Sequence, residues 1–228
     1  MDLISGIISG AVGGLIVWLL QQLYLNRREK NKEKQGNIIR AKHLDKIITS
    51  KILYSLKPGN TIELMKEQLG VPTKFSKFDF PVFSESEKKT NSYLYFLKNA
   101  YLKITSEDNI SIDSITIFPY DNSIILDDIG FLCNEGLNKL NEIKLCRELL
   151  ENVINHKFIR TMKDCCVAVE YFIPNPLYMN YTYFSYGNQD LGNYDETNDP
   201  KCLENSVVNG VCISNSTENS YFIYQMEQ

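Results

Sequence analysis

Histidine and tryptophan are nearly missing from this chain, whose 228 residues hold only His43, His156 and Trp18. Both histidines fall in stretches that read as helix, and neither has a thiol nearby in sequence, so a Cys-His nucleophile pair has no local support. Six cysteines are present (Cys133, Cys146, Cys165, Cys166, Cys202 and Cys212), but no C-x-x-C or H-x-x-x-H spacing occurs. Metal chelation needs such convergent pairs. The vicinal Cys165 and Cys166 point to opposite faces if they lie on a strand. No P-loop, G-x-S-x-G, H-E-x-x-H or G-x-G-x-x-G is found. The acidic pairs Asp127-Asp128 and Asp195-Glu196 read as solvated loop, because adjacent carboxylates diverge on most backbones. A large positive charge is also missing: the net charge is −4 and the pI about 5.3, which excludes a strongly basic nucleic-acid binder. The expectation is no catalytic residue, no metal, no cofactor and no nucleic-acid partner.

Charge of either sign is absent from residues 3–25, LISGIISGAVGGLIVWLLQQLYL. A helix of that length is about 35 Å long, enough to cross a hydrocarbon core of about 30 Å. A cleaved signal would carry basic residues before a shorter apolar run and small residues after it. Only Asp2 precedes this run, and no cysteine follows it as a lipidation site. The segment therefore reads as a transmembrane helix. Arg27, Arg28, Lys30, Lys32 and Lys34 crowd its C-terminal flank, which predicts an outside N-terminus and a cytoplasmic domain in a bacterial-type inner membrane. Gly6, Gly10 and Gly14 recur at four-residue spacing, a face on which two spans can approach closely and form a homodimer. With free thiols expected in that reducing compartment, the six cysteines predict no disulfide framework.

Behind this anchor (1–25) and a basic juxtamembrane linker (26–36), two segments follow, 37–126 and 127–228. Residues 26–51 carry nine basic and three acidic side chains, and residues 52–228 fifteen and twenty-four, so a basic neck precedes an acidic domain. Apolar residues at helical spacing over 37–56 predict a first long helix. Pro58-Gly59 then make a turn, Asn60 with Glu63 reads as a helix start, and Gly70 before Pro72 as its end. Period-two alternation at Tyr93, Tyr95 and Leu97, at 101–104, and at Ile110, Ile112, Ile115 and Ile117 predicts a three-stranded antiparallel meander.

The string Leu56-x-Pro58-Gly59-x-Thr61, a helix closed by Leu69-Gly70-x-Pro72, Tyr93-x-Tyr95 and an Ile-rich last strand resemble the two-helix, three-strand domain of the SmpA/OmlA (BamE-like) family, also shared by beta-lactamase inhibitory proteins. The likeness covers roughly residues 38–118. Outer-membrane members of that family are lipoproteins, and this chain has no lipobox. What the resemblance implies is a protein-binding scaffold without catalytic residues.

In the second half, Leu137, Leu140, Leu145, Leu149, Leu150, Val153 and Ile154 predict another long amphipathic helix. Strands are expected at 165–173, 179–186 and 221–226, with Asn209-Gly210 as a hairpin turn. The fold class expected is α+β, an N-terminal transmembrane helix followed by helices packed on antiparallel sheet, in two similar modules. Tyr178, Tyr181, Tyr183 and Tyr186 form the densest aromatic stretch, either an interaction surface or strand residues of a core. The function expected is a membrane-anchored, non-catalytic protein-binding module with an unidentified protein partner and the lipid bilayer. The alternative is a membrane-tethered small hydrolase using Cys133, Cys146 or a carboxylate.

Overall fold

A computed structural model of the chain describes residues 45–120, 123–124, 139–160, 165–172, 179–186 and 199–223, all within the unit His43–Gln228. Its frame is one eight-stranded antiparallel sheet in the order β1-β2-β3-β4-β8-β7-β6-β5. The strands are β1 Lys74–Asp79, β2 Lys88–Phe96, β3 Ala100–Ser106, β4 Ser114–Pro119, β5 Val153–Arg160, β6 Cys165–Phe172, β7 Asn180–Tyr186 and β8 Gly210–Ser214. The first four and the last four each form a meander, and the meanders join where β4 pairs with β8.

Alternation decides what each face of the sheet carries. On one face the cross-strand rows are apolar. One row runs Phe75, Tyr93, Ile104, Ile115, Ile213, Tyr181 and Tyr171, and its neighbour runs Tyr95, Leu102, Ile117, Val211, Tyr183 and Val169. Three short α-helices supply partners for this face: α1 Ser50–Ser55, α2 Ile62–Leu69 and α3 Arg147–Glu151. Leu53, Leu56, Ile62, Met65, Leu69, Leu149 and Leu150 join the strand residues in one core. Thr61 caps α2 by accepting from the Leu64 amide at 3.2 Å, and Gly70, at φ 79°, ends it. The cap is therefore Thr61 rather than Asn60, whose amide instead donates to the Ser55 carbonyl at 2.7 Å.

The opposite face is polar at its centre. One row there holds Ser76, Ser92, Thr105, Ser114 and Ser214, and the next holds Lys74, Leu94, Lys103, Thr116, Cys212, Thr182 and Glu170. Hydroxyls bond one another across strands, Thr105 with Ser114 at 2.6 Å, so these buried groups are not left desolvated. After β8 the chain makes a 3-10 turn, Thr217–Asn219, and residues 220–223 cross this face as a strap. The strap is held by its backbone. The Val82 amide donates to the Ser220 carbonyl at 2.7 Å, the Thr116 hydroxyl to the Tyr221 carbonyl at 2.6 Å, and the Lys103 ammonium to the Phe222 carbonyl at 2.9 Å. The Phe222 ring packs on Phe118 and Phe184, with centroids 5.3 Å away in each case.

Several expectations give way here. The α+β arrangement of helices packed on antiparallel sheet in two similar modules is replaced by one continuous sheet with, among the described residues, three α-helices of six, eight and five residues. In the described part of 37–56 only Ser50–Ser55 is helical. The second long helix shrinks to Arg147–Glu151. Asn141 takes a φ of 72°, Lys144 bridges to Val207 in an extended segment, and Val153 and Ile154 belong to β5. Their apolar spacing served burial from an irregular chain, which periodicity cannot separate from a helix. Asn209-Gly210 is no hairpin turn, because Gly210 opens β8 and the Asn209 amide donates to the Phe184 carbonyl. The BamE-like two-helix, three-strand unit is not a unit either, since its strands lie inside the eight-stranded sheet.

Among the described residues no helix is long and apolar enough to cross a membrane, so the structure withdraws support from the single-pass inner-membrane topology. The segment 3–25 on which that reading rested, with Gly6, Gly10, Gly14 and the homodimer face, lies outside the described residues.

A Cβ on Gly210 would stand 2.5 Å from the Phe118 ring, so Gly210→Ala should destabilise by about 1–3 kcal/mol in a denaturant titration. Glu170 is fully buried on the polar face, and burial raises its carboxyl above the usual range against the pull of the Asn155 amide and the Thr217 hydroxyl. A raised carboxyl binds its proton more tightly when folded, so its stabilising contribution is complete below the ordinary value of 4.5 and fades as pH rises through the folded one. Glu170→Gln should therefore be more stable than the parent at neutral pH, with the gap closing toward about pH 4 in thermal melts.

Candidate functional site

The most chemically distinct place lies where the strap meets the edge strand β1. This strand reads KFSKFD, and a one-residue register shift against β2 falls between Ser76 and Phe78. Ser76 serves the shift locally: its hydroxyl donates to the Phe78 carbonyl at 2.7 Å and accepts from the Phe78 amide at 3.3 Å. The extra residue lies on β2, where three steps from Ser92 to Lys89 oppose two from Ser76 to Phe78. Phe75, Phe78 and the following Phe80 are each about half exposed, at 47%, 51% and 48%.

Inward of these rings, Asp79 forms an ion pair with Lys103 of β3, 2.5 Å apart, with side chains 14% and 8% exposed. Both carboxylate oxygens are engaged. Oδ1 accepts from the Phe80 amide at 2.9 Å, and Oδ2 accepts from the Ser92 hydroxyl at 2.6 Å as well as from Lys103. The Lys103 ammonium also donates to the Phe222 carbonyl and stands 5.4 Å from the centroid of the Tyr221 ring. Burial holds that ammonium below the ordinary lysine range although Asp79 pulls it upward. The pair thus ties β1, β3 and the strap together.

Beside it opens a groove of about 240 Å³, lined by Lys74, Ser76, Phe78, Asp79, Phe80, Ser92, Leu94, Lys103 and Ile223. Phe78, Phe80, Leu94 and Ile223 make it apolar on one side, while two lysines and two serines make it polar on the other. Its serine hydroxyls already donate within the fold, Ser76 to the Phe78 carbonyl and Ser92 to Asp79, so what the groove offers a ligand is chiefly its apolar wall.

The residues singled out from sequence lie elsewhere. Tyr181 and Tyr183 are 4% and 1% exposed and stack on each other, centroids 6.4 Å apart, within the apolar core. These two rings are core residues of β7, with no surface to offer. Tyr178 and the Tyr186 side chain lie outside the described residues, as do Cys133, His43 and both acidic pairs. His156 stands on β5, not on a helix. Cys146 is half-buried, Cys166 and Cys212 are buried and Cys202 is exposed, and none of the four is in a disulfide. Burial pushes the Cys212 thiol up, which suits a packed residue more than a nucleophile. Among the described residues no group of three or more His, Cys, Asp or Glu could hold a metal ion. The groove itself went unseen because residues 71–83 carry no motif. The one available signal was three phenylalanines within six residues, alternating with lysine, serine and aspartate.

No known protein family, curated protein or solved structure matches the chain.

Breaking the buried pair from one side leaves a charge without its partner. Asp79→Asn should cost about 3–5 kcal/mol, whereas replacing both members, Asp79→Leu with Lys103→Met, should leave stability within about 1–2 kcal/mol of the parent. Chemical denaturation of the single and double variants reads both values.

Proposed function

We propose that the sheet domain is a non-catalytic protein-binding module that takes its partner on the phenylalanine rim of β1. The observation that carries this reading is the half-exposure of Phe75, Phe78 and Phe80 on one short edge segment. Three large rings kept about half in water on one edge segment are costly to the isolated chain, and a partner that covers them removes that cost. Aromatic anchors bury much area on binding at small entropic cost. Because Lys74 and Lys77 put charge on the edge strand, the partner meets side chains and does not add a ninth strand. Lys74 and Lys77, exposed on the same strand, give the rim a basic border suited to acidic residues around an apolar centre.

Photo-crosslinking in cells tests this. With p-benzoylphenylalanine at position 78, the full chain should yield a discrete protein adduct that is absent when the crosslinker replaces the exposed Glu67 of α2. The adduct should be lost when Phe75 and Phe80 are both changed to Ser. Equal labelling from both positions, or none from position 78, would remove the rim as the binding face.

A further inference from the structure

We infer that the strap 220–223 is a proton-operated latch: it stays shut while the buried Glu170 carboxyl beneath its turn is neutral, and ionisation of that carboxyl opens it. The device lies in the fold itself, at the other end of the sheet from β1, and stands whether or not a partner meets the phenylalanine rim.

Position comes first. Alternation places Glu170 on the polar face, in the row that runs through Thr116, Cys212 and Thr182. Its side chain is fully buried, although a carboxylate is among the groups most costly to take out of water. The Asn155 amide donates to Oε2 at 2.7 Å, while Oε1 has no hydrogen-bond partner among the described residues. The other group that steadies a charge there is the Thr217 hydroxyl. Thr217 opens the 3-10 turn Thr217–Asn219 from which the strap departs, and the Asn180 amide of β7 donates to the same hydroxyl at 3.2 Å. Thr182 and Ser220 carry the contact into the strap, their hydroxyls 2.7 Å apart. The turn and the first strap residue are thus seated on the carboxyl.

Charge decides what that seat does. Among the described residues no cation offsets a negative charge on Glu170. β7 faces it with Asn180 and Thr182, and β8 offers Cys212 beyond Thr182. On β5, Asn155 stands opposite; Lys157 shares the face but pairs with Ala168, and His156 belongs to the apolar face, opposite Val169. On the turn, Glu218 is 84% exposed and 3.7 Å from the Lys88 ammonium, which is engaged by Glu107 at 2.6 Å and by Asn219 at 3.0 Å. The Tyr221 ring of the strap lies by Lys103 instead. Burial accordingly raises the Glu170 carboxyl above the usual range. The neutral acid therefore favours the closed seat, and the carboxylate favours an open one in which water reaches Oε1. Of the elements around it, the turn moves most easily, because Asn155 and Thr182 are held in ladders and the turn is three residues long. The latch is closed in acid and opens as pH rises.

Cys212 reports the movement. Its thiol is fully buried beside the Thr116 hydroxyl and the Tyr221 main chain, so a reagent reaches it only when the strap lifts or the sheet unfolds. The full chain and Glu170→Gln, which keeps the shape and cannot ionise, are labelled with 4,4′-dithiodipyridine from about pH 4 to about pH 8, and the rate at Cys212 is read by peptide mass spectrometry. Amide exchange in β3 gives the rate of global opening in the same samples. Thiolate formation rises with pH in both proteins, so the ratio of their Cys212 rates isolates Glu170. That ratio should grow at least about tenfold in favour of the parent over this range, with parental Cys212 reacting faster than global opening allows. Within the parent, the exposed Cys202 is a second reference, and the Cys212 to Cys202 ratio should rise by a similar factor. A ratio flat with pH against either reference, or a Cys212 rate no faster than global opening, overturns the latch. Neither result bears on the crosslink from position 78.

Discussion

Everything described depends on the ladder between β4 and β8, in which Ser114, Ile115, Thr116 and Ile117 face Ser214, Ile213, Cys212 and Val211. Each meander alone would end on an open inner edge. Joined there, the two become one sheet whose apolar rows run unbroken from β1 to β6, so a single core serves both halves. The join also fixes where the chain goes next. Since β8 is a central strand, the residues after it leave from the middle of the sheet, and residues 220–223 cross the polar face instead of an edge.

That crossing gives the polar face its purpose. A buried row of hydroxyls is unfavourable unless its members find partners. Here they bond one another, the Tyr221 carbonyl and the Ser220 hydroxyl of the strap, so the hydroxyl face works as a seat for a stretch of chain. The buried Lys103–Asp79 pair is part of the same seat. It makes the position of β1 conditional on the strap, and with β1 the positions of the three exposed rings. A groove whose walls come from an edge strand, an inner strand and a strap is well placed to respond to what fills it.

Part of this was legible in the sequence. Period-two alternation found the strands around 93–97, 101–104 and 115–117, and β6 and β7 were legible as runs of strand-forming residues, β6 bounded by Pro174 and Pro176. The Pro-Gly turn and the Leu-Gly-x-Pro ending bracketed α2. Long helices were expected over 37–56 and 137–154 because leucine and isoleucine at mixed spacing satisfy a helical template and an irregular buried segment equally. Asn141 and the Lys144 to Val207 bridge decide against the helix, and that partner lies some sixty residues away. The tyrosines of β7 read as either a surface or a core, and only the register placing Tyr181 opposite Ile213 makes them core. The candidate groove was illegible for the same reason: Asp79, Lys103 and Phe222 are scattered along the chain, and pairing alone brings them together.

The β4 to β8 ladder has a further consequence for how the chain is made. Ser114 waits for Ser214, so during synthesis the first meander is complete long before its neighbour exists. Until then β4 presents an unpaired edge flanked by Ile115 and Ile117, and such an edge readily pairs with another chain. The nascent protein is therefore most prone to aggregate in the interval between the emergence of β4 and that of β8. Late, long-range closure of this kind makes for slow folding, and it makes the last part of the polypeptide the guardian of the first.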